Sequence, residues 1–410
     1  MMFVLYNISI FGYDLLIRLA AIFGVEKAKK IVAGRKIIYH EIDKKISAAD
    51  RVMWFHCASL GEFEQGRPVI ESLKKKQPDV KILVSFFSPS GYDVRKNYEY
   101  ADCVVYLPAD TPFNAKKFVR KTHPEKVFFI KYEFWFNFIK ELKNSNVPVY
   151  NVSGIFRKDQ YFFKWYGTWF RKQLLQLDTF FVQNRESYDL IKKYAPEKVV
   201  ITGDTRFDRV FQIAQSAKQF DDIKKFKGDK PIFLVGSSWA ADEKRFLNKV
   251  LEEVKKKNIK LIIAPHEVHR ARIDSLMQEL PNNAARYSEK RDFSDVDILV
   301  IDSIGILYHL YQYADIAYIG GGFGVGLHNT LEAATFGLPM IFGPNYHKFK
   351  EAKDLIFIGA AFSIDNSTDF DIIFSKLLND ISFRENAGKI AGDFILQQKG
   401  GTEKIINHIM

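Results

Sequence analysis

From residue 50 onward, strand-length apolar runs alternate with longer amphipathic segments, and this alternation is the tightest constraint on the fold. VMWFHC (52–57), KILVSF (81–86), CVVYL (103–107), KVFFI (126–130), VPVYNVS (147–153), TFFVQ (179–183) and KVVIT (198–202) are short and rich in Val, Ile, Phe and Tyr. Between them lie segments of helical period such as FEQGRPVIESLKKKQ (63–77) and SYDLIKKYA (187–195). Such a pattern builds a parallel sheet with crossover helices on both faces. It lapses into the polar stretch QSAKQFDDIKKFKGDK (215–230) and resumes with PIFLVGS, IKLIIAP, VDILVID, DIAYIGG and LPMIFG. A chain of 410 residues exceeds what one core organises. The expected division is a first α/β domain over 37–208, a linker over 209–230 and a second α/β domain over 231–410, with a cleft between the domains.

The chain carries 60 Lys+Arg against 49 Asp+Glu, a net charge of +11, which suits anionic partners. No Lys/Arg arm, zinc-finger spacing or aromatic RNA-binding motif is present, so nucleic acid is not an expected partner. The two cysteines, Cys57 and Cys103, lie in strand-like runs and make no disulfide framework, which fits a reducing compartment. Residues 1–24, MMFVLYNISIFGYDLLIRLAAIFG, are apolar but interrupted by Asn7, Asp14 and Arg18 on one helical stripe. A clean span needs ~20 largely uncharged residues. With Lys27, Lys29, Lys30, Arg35 and Lys36 following, residues 1–36 read as a monotopic or single N-terminal anchor on anionic lipid. The alternative is an ordinary buried helix on the first domain.

Four loops carry candidate chemistry. In WFHCASLGEFEQGRP (54–68) a strand breaks at Ser59-Leu60-Gly61 and a helix restarts with Glu62 in its first turn. A carboxylate there either suits the helix dipole or stands where strand ends place chemistry. IAYIGGGFGVGLHNTLEAATFGLP follows a strand with a glycine-rich loop suited to a phosphate. It departs from the dinucleotide fingerprint at Val325 and from the P-loop at Leu327. Glu332 is either the N3 residue of a capping box begun by Asn329 or a ribose ligand. Ser237 and Ser238 either contact a phosphate or cap the next helix. His266, Glu267 and His269 lack the spacing that puts two histidines on one helical face, so a metal is not expected.

These pieces, in this order, resemble the family of 3-deoxy-D-manno-octulosonate (Kdo) transferases. The matching landmarks are Gly34-Arg35, Ser59-Leu60-Gly61-Glu62, Ser88-Pro89-Ser90-Gly91, Leu107 to Pro112, Glu133-Phe134-Trp135, Gly203-Asp204, Phe207-Asp208, Gly326-Leu327-His328-Asn329 and Gly343-Pro344-Asn345. The resemblance implies an α/β, two-domain GT-B glycosyltransferase at the cytoplasmic face of the inner membrane. Its donor would be CMP-Kdo and its acceptor a lipid A precursor, with inversion and neither metal nor cofactor. It assigns the general base to Glu62, orientation of substrate or support of that base to Glu133, and charge compensation to Arg206. Ser59, Gly61, Ser237, Ser238, Pro265, His266, Gly322, Gly326, His328, Asn329 and Glu332 would bind the donor; Arg67, Ser88 and Ser90 would bind the acceptor. This chain departs from the family at His266, where Arg is usual and Arg270 or His269 would substitute, and at Lys131-Tyr132 and Phe136 around Glu133. The rival readings are another GT-B sugar-nucleotide enzyme, such as an epimerase, and a non-catalytic membrane protein that binds nucleotide.

Overall fold

The computed structural model describes residues 1–324 and 326–410; Val325, the departure from the dinucleotide fingerprint, lies outside them. The chain forms two compact units: residues 1–209 with 399–410, and residues 210–398. The first holds β1 (Val52–Cys57), β2 (Lys81–Phe86), β3 (Cys103–Tyr106), β4 (Pro124–Ile130), β5 (Val149–Gly154), β6 (Thr179–Val182) and β7 (Val199–Ile201). They pair in the order β3-β2-β1-β4-β5-β6-β7, all parallel. Strand alternation divides the core between the two faces. Trp54, Leu83, Val127 and Phe129 pack on one side, and Phe55, Val84, Phe128 and Ile130 on the other. This is why the strands read as continuous apolar runs.

The second unit repeats the plan with β8 (Ile232–Ser238), β9 (Lys260–Pro265), β10 (Ala284–Arg286), β11 (Ile298–Val300), β12 (Ile316–Ile319), β13 (Met340–Phe342) and β14 (Ala361–Ser363). Its order is β10-β11-β9-β8-β12-β13-β14, again parallel. In each sheet the strand order reverses once, between β1 and β4 and between β8 and β12. Ligands of open α/β sheets bind at such switch points, beyond the carboxyl ends of the strands. The loops that the sequence singles out follow these four strands and β9, the neighbour of β8.

Two segments differ from the sequence-based division. Residues 399–410, expected in the second domain, belong to the first unit, because Ile405, Ile406 and Ile409 complete its apolar core beside Val69, Leu73 and Phe181. The buried Asp208 carboxylate fixes their entry, accepting from Gly400 N (2.5 Å) and Thr402 N (2.6 Å). Part of the expected linker is the helix Asp221–Lys227, which buries Ile223 and Phe226 in the second unit.

The helix Met2–Ile22 is, among the described residues, the one long and apolar enough to cross a membrane. It lies against the first unit. Tyr6 OH donates to the buried Asp110 carboxylate (2.5 Å), Asn137 Nδ2 donates to Asn7 Oδ1 (2.9 Å), and Arg35 pairs with Asp14 (2.8 Å). Asp110 also accepts from the amides of Asn137 and Phe138, so the helix is keyed to the start of the helix Phe136–Asn144. Its other face leaves Val4, Leu5, Ile8, Phe11, Leu15, Leu16, Leu19 and Ile22 exposed. An anchor that only rests on lipid would leave the two domains folded when residues 1–24 are removed. The contacts predict instead that deleting them lowers the stability of the first unit by about 1–3 kcal/mol, the cost of leaving a buried acceptor short of a donor. An unchanged thermal transition for the deletion variant would show a free appendage.

Candidate active site

Glu62 sits in the first turn of the helix Leu60–Lys76, immediately beyond β1, and is 6% exposed. Its Oε2 accepts from Ala58 N at 2.5 Å. Burial pushes its pKa up to about 7, and the nearby Glu133 charge adds to the rise. The amides of Ala58 and Ser59 and the Lys131 ammonium act against it. A carboxylate tuned to this range is suited to exchange protons at neutral pH. Gly61 beside it faces open space, which leaves approach to the turn unobstructed.

Glu133 follows β4, across the switch point. Its Oε2 is shielded from solvent and has no hydrogen-bond partner among the described residues. That atom lies 3.8 Å from His56 Nε2. Trp135 Nε1–H, which can only donate, points at His56 Nε2 (3.0 Å) and therefore requires its lone pair. On the other side of the ring, His56 Nδ1 faces Ser85 Oγ at 2.9 Å. Glu133 is thus an open acceptor next to Glu62. Lys131, which the sequence marks only as a departure, belongs to this cluster. It holds a left-handed backbone (φ 67°) pinned by Asn151 Nδ2 on its carbonyl (2.7 Å), and such strain concentrates at functional sites.

The neighbouring β2 loop is joined to the Glu62 turn by Ser88 N donating to Ala58 O (2.8 Å). Ser88 caps the helix Pro89–Arg95, its Oγ 3.0 Å from that of the exposed Ser90. Arg67 is engaged elsewhere: it bonds Glu71 (2.8 Å) and Glu64 (3.4 Å) and lies over the Tyr98 ring, with Arg209 on the other Glu71 oxygen. Arg206 is likewise not a lone cation. It grips the buried Asp204 through Nε (2.9 Å) and an Nη (2.7 Å). Burial raises the Asp204 pKa, yet the Arg206 guanidinium and the surrounding hydrogen bonds win and hold it below the usual range.

In the second unit Ser237 is a non-glycine residue with φ 54°, at the end of β8. Ser238 is buried and donates to Glu243 Oε1 (2.7 Å), which positions the loop and turns its hydroxyl inward. After β12 the glycines serve close packing more than anion contact. A Cβ at Gly320 would lie 2.1 Å from Ser237 O, and one at Gly322 2.5 Å from Gly343 N. The amide of Gly321 donates to Asp242 (2.9 Å), while those of Gly324 and Gly326 (φ 141°) donate to Gly321 O. Among the described residues, no hydrogen bond occupies the amides of Leu327, Asn329 and Thr330. The loop's capacity for an anion is therefore displaced toward 327–330.

Asn329 does not open a capping box. The helix begins at Leu331, one residue later than that motif requires, with Thr330 as N-cap. Asn329 Oδ1 accepts from Leu331 N (3.1 Å) and its Nδ2 holds Glu332 Oε1 (3.0 Å). Glu332 is thus aligned by a side chain and stays partly exposed.

Two residues in this unit were missed. Trp239 Nε1 donates to His328 Nε2 (3.2 Å), and the exposed His266 ring stacks on both, with centroids 4.7 Å from Trp239 and 4.4 Å from His328. Burial, then the neighbouring His266, lowers the His328 pKa, so its lone pair is available to the indole. Asp242, fully buried, accepts from Trp239 N, Gly321 N, Phe323 N and Tyr318 OH and so ties the β8 and β12 loops together. An acidic residue early in a helix gives too common a signal to reveal that role. Pro265 ends β9 and is buried, with His266 N bonded to Ser238 O (2.9 Å). His269 caps the helix Arg270–Gln278 through Nδ1, and Arg270 is exposed, 3.6 Å from Asp274. Among the described residues no group of three His, Cys, Asp or Glu side chains is arranged to hold a metal.

The chain resembles a solved UDP-GlcNAc 2-epimerase from Neisseria meningitidis bound to UDP-GlcNAc, with TM-score 0.60 and 15% identity, covering 88% of this chain and 99% of that one. It also resembles Acinetobacter baumannii MurG, with TM-score 0.52 and 13% identity over 88% and 99% of the two chains. Two parallel α/β units, each with its loops at a switch point, make this a GT-B fold. Residues 32–209 match the family model described as 3-deoxy-D-manno-octulosonic-acid transferase (kdotransferase). The 3-deoxy-D-manno-octulosonic acid transferase of Aquifex aeolicus (strain VF5) is 29% identical, over 84% of this chain and 91% of its own length. That of Chlamydia pneumoniae is 27% identical, over 82% and 79%. The family-model match over residues 32–209 and the likeness to Kdo transferases over most of the chain indicate a glycosyltransferase.

Proposed function

We propose that the chain transfers Kdo from CMP-Kdo to a lipid A precursor at the cytoplasmic face of the inner membrane, with inversion and with Glu62 as general base. The observation that carries this reading is the pair of carboxylates at the β1/β4 switch point: Glu62, buried with its pKa near 7, and Glu133, with an unpartnered oxygen. The acceptor hydroxyl attacks the anomeric carbon, ionised Glu62 takes its proton, and the bond to the CMP phosphate breaks as the new C–O bond forms. Glu133 accepts from a substrate hydroxyl and keeps the Glu62 pKa high. CMP leaves as a phosphate monoester, so positive charge and backbone dipoles suffice on that side and the scheme assigns no metal. Arg206 contributes as half of an ion pair with Asp204, a weaker field than a lone cation.

On the donor side, Ser237 and the amides of Leu327, Asn329 and Thr330 take the phosphate, Glu332 and Asn329 the ribose, and the Trp239, His266 and His328 rings the base. Ser88 and Ser90 border the acceptor. Arg67, held by Glu64 and Glu71, reaches it only by exchanging partners. The helix Met2–Ile22 lies in the membrane plane, because spanning would require breaking its bonds to Asp110, Asn137 and Arg35.

Incubation with CMP-Kdo and a tetraacylated lipid A precursor, followed by mass analysis of the lipid, tests the activity. A lipid heavier by one or more Kdo units, with CMP released, is expected; unchanged lipid and intact donor would overturn the proposal. Trp239→Ala is expected to weaken CMP binding by about tenfold, in line with ~1–3 kcal/mol for a base stacked on an aromatic ring. Titration calorimetry with CMP measures it, and unchanged affinity would remove the ring cluster from the base site.

A further inference from the structure

We propose that the segment 157–172 is a second membrane contact of the first unit, in which Trp165 and Tyr166 seat in the interface of an anionic bilayer and Lys158, Lys164 and Lys172 face its headgroups. The inference rests on the membrane reading above and extends it to a segment that contains no long apolar helix. Trp165 is 92% exposed and Tyr166 56%. Neither ring hangs on a loose tether. Two 3₁₀ turns, Tyr161–Phe163 and Trp165–Gly167, lead directly into the helix Thr168–Leu174. The turns are closed on each other so tightly that a Cβ on Gly167 would lie 1.7 Å from Tyr161 O. Phe162 is buried beneath them, and an Arg171 Nη donates to Phe162 O at 2.9 Å. A rigid turn that holds an indole and a phenol out of the core presents two side chains suited to the boundary between lipid and water.

Charge selects the bilayer as occupant. Residues 157–172 contain Arg157, Lys158, Lys164, Arg171 and Lys172 against Asp159 alone. Asp159 is 3.7 Å from Arg157, while Lys158, Lys164 and Lys172 have no ion pair among the described residues. The basic flank expected to meet lipid is more committed: Lys29 pairs with Glu26, Lys30 with Asp93 and Arg35 with Asp14. The segment is also continuous with the helix Met2–Ile22. Trp169, three residues after Tyr166, packs against Phe3 and Tyr6 with both centroid distances at 5.8 Å. The exposed turn thus flanks the amino-terminal end of that helix.

The test is flotation of the full chain with vesicles of phosphatidylethanolamine and phosphatidylglycerol, and with phosphatidylcholine alone. Trp165→Ser/Tyr166→Ser should lower partitioning into the anionic vesicles on the order of tenfold, from the apolar surface no longer inserted. Serine at Lys158, Lys164 and Lys172 should lower it by about fivefold per cation, and only where the lipid is anionic. Brominated lipid should quench a fluorescence component that Trp165→Phe lacks. Thermal transitions of all variants should match the parent, since the altered side chains are outside the core. Leu15→Ser/Leu19→Ser on the exposed helix face separates the two readings. If that variant loses binding while the Trp165/Tyr166 variant binds normally and Trp165 is unquenched, the second contact is wrong and the helix reading stands. If the parent chain binds neither vesicle, both readings fall.

Discussion

Glu62→Gln should lose about 10²–10⁴-fold in turnover, the span that general-base catalysis contributes, with little change in CMP-Kdo affinity. The isostere keeps the shape and can still accept from Ala58 N, but it cannot take a proton. If Glu62 is the base, the active form of the parent enzyme is the carboxylate, and turnover should climb with pH and level off above about 7. The variant should lack that limb. Stability gives an independent readout. The folded pKa of about 7 exceeds the ordinary 4.5, so the protonated form is favoured by folding. The associated stability is fully present below 4.5 and is lost as pH rises through 7. Glu62→Gln should therefore match the parent near pH 4.5 and be more stable at pH 8, by ~3 kcal/mol at most. A residue placed only to satisfy the helix dipole would behave oppositely, with near-normal turnover and a stability loss of ~0.3–1 kcal/mol in the variant. Near-parental turnover would pass the role of base to Glu133.

Asp242→Ala should be the most damaging substitution in the second unit. It strands three backbone amides and the Tyr318 hydroxyl inside the protein at once. Removing one partner of a buried charged network costs on the order of 3–5 kcal/mol. The loss should reach CMP binding beyond what unfolding explains, because Asp242 joins the start of the helix Ala240–Lys255 to the loop after β12. Calorimetric melting with CMP titration below the transition measures both. Asp242→Asn, which keeps one acceptor oxygen, should fall between. If CMP affinity survives in folded Asp242→Ala, the glycine loop holds its shape without that carboxylate.

The sheets were legible because their strands are buried on both faces, so runs such as VMWFHC and KLIIAP stand out by composition alone. Glu62 was legible as a carboxylate at a strand-to-helix turn, and the resemblance chose between its two readings. What sequence cannot show is whether a side chain is already engaged. Arg67, Arg206 and Ser238 have the right chemistry for substrate, yet each is bound to a buried carboxylate. By sequence the glycine-rich loop suits a phosphate on free amides, whereas Asp242, about eighty residues earlier in the chain, takes Gly321 N and Phe323 N. The ring cluster was hidden for the same reason: Trp239, His266 and His328 come from three loops and meet only in space. For Arg67, Arg206 and Ser238 the partner is only two to five residues away and burial decides the role; for the glycine-rich loop and the ring cluster, pairing between distant residues does, and it leaves no local signature.

The return of residues 399–410 to the first unit bears on how the chain emerges from the ribosome. The first sheet is complete once β7 has been made, but Ile405, Ile406 and Ile409 are still to come, and the surface they cover stays wet. Domains usually fold in order of synthesis. Here the first unit must wait, incompletely sealed, while the whole second unit is translated. Its exposed patch and the apolar helix Met2–Ile22 are then available together to a chaperone or to the membrane throughout elongation. Release of the carboxyl-terminal helix becomes the step that closes the first unit, so a nascent chain stalled short of residue 399 should be recognisably protease-sensitive in the half that was made first.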